Sequence, residues 1–143
     1  MMDTSTFGIP LFDEAHAALA EQIQALMDGP DAEFEANLAA LIDCLETDFR
    51  VEEELMEAID YPALRSHREQ HARVLATLHA LTPGDLQAGR RVASLILPWF
   101  QLHLATADTA LAIALQVAGR AANPAPPGLH QPPAAAASPA PAA

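Results

Sequence analysis

Basic side chains are scarce in this sequence. Seven Lys and Arg stand against nineteen Asp and Glu, which leaves a formal net charge of -12 over 143 residues. No positive stripe is available to follow a phosphate backbone or an anionic bilayer, so nucleic acid and membrane are set aside as main partners. Cysteine is nearly absent as well. Cys44 is the single one, no intrachain disulfide can form, and a reducing cytoplasm is expected. The opening "MMDTSTFGIP" lacks a positive segment followed by an apolar one, so no signal peptide is expected. No apolar run reads as long enough to span a bilayer. Aromatics make up only 5% of the chain and β-branched runs are few, which disfavours sheet.

What is abundant is Ala and Leu at helical spacing. With 51% hydrophobic residues the chain can bury one domain core. A first helix is expected from Leu11 to Met27, with Phe12, Ala15, Leu19, Ile23 and Leu26 spaced by three and four. "DGPD" ends it, and Asp31 is placed to cap a second helix over Ala32 to Ile59. Pro62 suits the first turn of a third helix ending near Leu81. After "TPGD", with Asp85 as cap, a fourth runs from Leu86 to Ala118, and Pro98 should kink it. Connections this short imply antiparallel neighbours. The expected fold is therefore all-α, an up-down-up-down four-helix bundle over residues 11–118, preceded by an N-terminal arm at 1–10. Residues 119–143 are mostly Pro, Ala and small polar types; they read as a disordered tail, and His130 within it is given no role.

Several charged residues fall on the dry side of these helices. In "DFRVEEELM", Glu52 shares a stripe with Phe34, Leu38, Leu41, Leu45, Phe49, Leu55, Met56 and Ile59, and Asp48 lies on the same side. Arg50, Glu54 and Glu57 face the other way, and Glu53 is at the border. Two buried carboxylates need protons, a cationic partner or a metal. Arg50, Arg68 and Arg73 read as outward or marginal, which favours a cation from solution. On the third helix His67 and His71 are four apart on the core face, a spacing that lets one helix chelate one metal. His16 on the first helix and His103 on the fourth also face inward, whereas His79 reads as a surface residue. All four helices thus send a metal-capable side chain inward. Four His and two carboxylates exceed the needs of one ion, and imidazole with carboxylate suits iron better than calcium or magnesium. Cys44, one turn before Asp48, reads as an inert thiol rather than a ligand.

"GIPLFDEAH", "DFRVEEELM", "YPALRSHREQH" and "WFQLHLATAD" resemble, in order and spacing, the ligand-bearing segments of hemerythrins, especially bacterial single-domain ones. The resemblance implies two non-haem, carboxylate-bridged iron ions and reversible dioxygen binding at one of them. It further implies that His67, His71 and His103 hold one iron, Glu52 and Asp108 bridge, and His16 holds the second. Asp108 enters through the resemblance alone: five residues after His103, it lies about 140° around an ideal helix and needs a local distortion to face inward.

One position departs from the family. Where the pattern has His-Phe-x-x-Glu-Glu, this chain has Asp48-Phe49-Arg50-Val51-Glu52-Glu53, and the missing His belongs to the oxygen-binding iron. Three arrangements are open: Asp48 ligates that iron, it holds a water there, or the second site is weak. An anionic donor favours ferric iron and oxidation chemistry over reversible carriage. Phe100, where relatives commonly carry Leu, is either ordinary core or a wall of the oxygen pocket. The expected function is dioxygen binding or sensing by a monomer or weak oligomer. The alternatives are a diiron oxidase or peroxidase-like scavenger of dioxygen, peroxide or nitric oxide, and a metal-depleted helical binding module.

Overall fold

The computed structural model describes residues 10–122. The expected N-terminal arm up to residue 9, and the expected tail from 123 onward with His130, lie outside them. Five helical segments follow one another: α1 (Pro10–Asp28), α2 (Phe34–Ala58), α3 (Leu64–His79), α4 (Leu86–His103) and α5 (Thr109–Ala122). A π-helical turn, Leu104–Asp108, joins α4 to α5 without a break, so the two make one long fourth helix. α1 packs against α2 and α4, and α2 packs against α3. This is an all-α four-helix bundle, and no strand occurs among the described residues.

Spacing explains the packing. Phe34, Leu38, Leu41, Leu45, Phe49, Glu52 and Met56 are the buried side of α2, at steps of three and four. His67, His71, Val74 and Leu78 are that side of α3, and Gly89, Ala93, Ile96, Phe100 and His103 that of α4. The metal-capable residues therefore continue the apolar stripes rather than interrupting the helices. They divide the core in two. A large cluster built on Leu19, Ile23, Leu41, Leu45 and Phe100 lies to one side, and a smaller one of Met56, Leu111 and Ala112 to the other.

Local chemistry sets the ends of the helices. Asp85 caps α4 as expected, accepting from the Ala88 N–H at 3.1 Å. Asp31 does not cap α2. A 3-10 turn, Asp31–Glu33, precedes that helix, and the Asp31 carboxylate takes the Arg90 guanidinium at 2.8 Å instead. Arg90 also donates to the carbonyls of Leu26, Met27 and Gly29, at 3.2, 2.8 and 2.6 Å, closing the C-terminus of α1 from another helix. α2 ends in a left-handed residue, Asp60 at φ 51°, with Tyr61 N–H bonded to Met56 O and Asp60 N–H to Glu57 O. α3 starts at Leu64, past Pro62, and α5 continues to Ala122, past the Ala118 expected. Pro98 sits within α4, exposed, and the helix runs on through it.

The expectation that nothing is long and apolar enough to cross a bilayer is corrected by the fourth helix. Leu86–Gly119 passes by length and composition, with a mean hydropathy of 1.3 in its most apolar window. The reason is that it is apolar on both sides. Its inner stripe packs in the bundle, while Leu95, Leu102, Ile113 and Val117 are exposed. A core helix of a bundle passes the same test.

Candidate metal centre

Each helix delivers its polar residues to one level of the bundle. His16, Glu52, His67, His71, His103 and Asp108 are all buried, from 1% to 5% exposed. One ligand atom from each of Glu52, His67, His71, His103 and Asp108 can be chosen so that all lie within 4.8 Å of one another. His67 Nε2 is 3.2 Å from Glu52 Oε1 and 3.1 Å from Asp108 Oδ1. His71 Nε2 is 3.1 Å from Glu52 Oε1, and His103 Nε2 is 3.1 Å from Asp108 Oδ1.

The carboxylates are shared between two sides. Their other oxygens turn to His16, whose Nε2 is 3.2 Å from Asp108 Oδ2 and 3.9 Å from Glu52 Oε2. Thus Oε1 and Oδ1 face three imidazoles, while Oε2 and Oδ2 face one. Glu52 Oε1, Asp108 Oδ1 and the Nε2 atoms of His67, His71 and His103 are buried with no hydrogen-bond partner among the described residues. Buried polar atoms are ordinarily satisfied, and a converging set of imidazole and carboxylate donors that is not fits a cation. This donor set fits iron.

Asp108 reaches the site because of the π turn. The wider turn adds a residue between His103 and Asp108 and brings both to the same face. Thr109 Oγ1 donates to the Leu104 carbonyl and Thr106 Oγ1 to the Leu102 carbonyl, each at 2.7 Å, satisfying oxygens around the disturbed ladder. The distortion that the sequence demands for an inward Asp108 is this turn.

Around the ligand atoms a second set of residues fixes the rings. Glu53 Oε2 takes His71 Nδ1–H at 2.9 Å, and Gln70 Oε1 takes His103 Nδ1–H at 2.8 Å, which leaves both Nε2 atoms as acceptors for a metal. Phe49 stacks on His71 with centroids 3.7 Å apart, and Trp99 stacks on His103 at 4.8 Å. Arg68 in turn holds Glu53 (3.2 Å) and Glu57 (2.7 Å). Sequence reading left Glu53 at the border of α2 and passed over Gln70. Their signal is adjacency: each directly follows or precedes an inward ligand, where a longer side chain can reach back across the helix interface.

Asp48 is placed differently from Glu52. It is half-buried and does not belong to the group of five converging residues. Its Oδ2 accepts from the Cys44 thiol at 3.5 Å. Burial raises the Asp48 carboxyl above its usual range, while the thiol and the charge of His16 pull it down. Burial and Asp48 together push the Cys44 thiol up to about 11, so it stays protonated, as an inert thiol should. Phe100 is core and touches the site as well, its ring edge-on to His16 with centroids 6.1 Å apart. His79 is on the surface, paired with Glu46 at 2.9 Å.

Without a cation the cluster would hold protons. Burial lowers the imidazoles of His16 and His67, but the Asp108 and Glu52 carboxylates outweigh it and raise both to about 9. Burial raises the two carboxyls, and the surrounding imidazoles drive both well below the carboxylate range.

Comparison with known proteins agrees with this geometry. The family described as Hemerythrin HHE cation binding domain matches residues 8–112. A bacteriohemerythrin of Ralstonia nicotianae is 35% identical over 100 residues, covering 67% of this chain and 73% of the relative. No solved structure gives a significant match.

Proposed function

The chain belongs to the hemerythrin family, which makes it a non-haem iron-binding protein, and on that premise we propose that it holds two irons and binds or senses dioxygen. The observation that carries this reading is the division of Glu52 and Asp108 between two sides. Two carboxylates whose inner oxygens each meet two imidazoles, three between them, and whose other oxygens meet a fourth suit two ions rather than one. His67, His71 and His103 would hold the first, His16 the second, with Glu52 and Asp108 between them. Ferrous iron at such a centre supplies electrons to dioxygen.

The remaining residues position and exclude. Glu53 and Gln70 keep the Nδ1 protons of His71 and His103 occupied, so that only Nε2 faces inward. Phe49, Trp99 and Phe100 exclude water from the rings. Asp48, bonded to the Cys44 thiol and sensing the charge of His16, stands where the family pattern has a histidine. That replacement favours a second reading, a diiron oxidase or peroxidase-like scavenger, because an anionic donor stabilises ferric iron. The single Cys44, protonated and half-buried, suits a reducing cytoplasm.

Iron counted per chain, together with absorption spectra of the reduced protein before and after air, separates these readings. Two irons with a spectrum that reverses on removing oxygen support binding or sensing. Rapid irreversible oxidation supports the scavenger, and one iron or none removes the diiron reading.

A further inference from the structure

We infer that the two metal positions are unequal: the three-histidine position keeps iron, while the His16 position is exchangeable and accepts a hard divalent cation such as manganese(II). The inference rests on the proposed dinuclear reading and concerns what this chain has done to one half of it.

Donor chemistry differs sharply between the halves. Three Nε2 atoms, Glu52 Oε1 and Asp108 Oδ1 converge on the first position. Two of its rings are locked on both their faces and their Nδ1 edges, by Phe49 and Glu53 for His71 and by Trp99 and Gln70 for His103. A position built this way is preorganised, and imidazole selects iron-like metals. The other position has one imidazole, His16, with Glu52 Oε2 at 3.9 Å and Asp108 Oδ2 at 3.2 Å. A further carboxylate, Asp48, feels the charges of His16 and Glu52 but makes no contact with His16, and its Oδ2 is engaged by the Cys44 thiol. One nitrogen and two carboxylates, with Asp48 as the next oxygen available, are an oxygen-rich set, of the kind that suits manganese as well as iron. Fewer and less fixed donors also let an ion leave faster. The chain therefore narrows, on one side only, the advantage iron ordinarily has over manganese.

The experiment loads metal-free protein with iron(II) under argon. It then adds about a tenfold excess of manganese(II), removes loose metal on a chelating resin and counts both metals per chain by elemental analysis. The expected result is one iron and one manganese in the wild type, with the manganese seen by electron paramagnetic resonance as coupled or protein-bound. Asp48→His should retain two irons and take up little manganese, its second iron leaving to chelator about ten times more slowly or better. Cys44→Ala, which frees Asp48 without touching a ligand, should slow loss of manganese and guards against a misfolded Asp48→His protein. Two irons retained alike in all three proteins would overturn the inequality and leave the dinuclear centre standing. Binding of no metal, or of one ion only whichever metal is offered, would overturn the dinuclear reading and the inequality with it.

Discussion

His103 Nε2 and Asp108 Oδ1 lie 3.1 Å apart although they are five positions apart along one helix. An α-helix would turn them away from each other, and the π turn between them brings them to the same face. Thr109 is part of what holds that turn, through its bond to the Leu104 carbonyl. Thr109→Val should cost about 1 kcal/mol in urea unfolding. It should also weaken cation binding with unchanged helical content, measured by circular dichroism and metal titration.

Glu53 is the clearest test of ring orientation. It meets His71 Nδ1 at 2.9 Å and does not itself point at the cluster. Glu53→Ala should lower metal affinity by about 10- to 100-fold while the metal-free fold melts close to wild type. Competition with a coloured chelator gives the affinity. An equal affinity in wild type and variant would mean that stacking on Phe49 alone orients the ring.

How much of this could be read beforehand depends on the periodicity of each residue. Glu52, His67, His71 and His103 lie in step with apolar neighbours, so their inward direction follows from the 3.6-residue turn alone. Asp108 is out of step and was reachable only through family resemblance, because a π turn leaves no hydrophobic period to read. Asp31 illustrates a different limit. A capping residue was legible, but its competing partner Arg90 is 59 residues away in sequence, and long-range ion pairs leave no local signature. The length of the fourth helix was legible, Leu86 to Ala118, but not its apolar character on both sides, because Leu95, Leu102, Ile113 and Val117 face outward where polar residues are expected.

Acidity should act oppositely on the metal-free and loaded protein. His16 and His67, raised to about 9, stabilise the folded chain fully below the unfolded imidazole value of 6.5. That contribution is lost as pH rises through about 9. Glu52, lowered to about 2 by the imidazoles against its burial, stabilises above its unfolded 4.5 and loses this only as pH falls through about 2. Metal-free melting temperature should therefore be level between pH 4.5 and 6.5 and decline towards pH 9. Cation binding displaces those protons and strengthens over the same rise. Thermal melts with and without metal should diverge as pH increases; parallel curves would contradict the assignment of the protons to this cluster.

Gly89 tests the packing far from the metal. A Cβ there would lie 2.1 Å from Phe34 Cζ, so Phe34 must shift in Gly89→Ala. The expected cost is about 1–3 kcal/mol of stability by denaturant unfolding. Metal content should not change, since Phe34 belongs to the large apolar cluster and Gly89 packs against its ring, away from the ligand level.

At the end of α2, Asp60 holds a left-handed conformation that glycine adopts without strain. Asp60→Gly should raise stability by up to about 1 kcal/mol, read as a higher midpoint in urea. A lower midpoint would show that the Asp60 side chain has a stabilising role of its own.

Among the described residues the polar cluster lies between a large apolar cluster and a small one. A bound ion there would act as a rivet at mid-height, joining α1 through His16, α2 through Glu52, α3 through His67 and His71, and the fourth helix through His103 and Asp108. Stripped of it, the bundle has a seam across its middle. Its four helices should then part most readily at the level of the ligands.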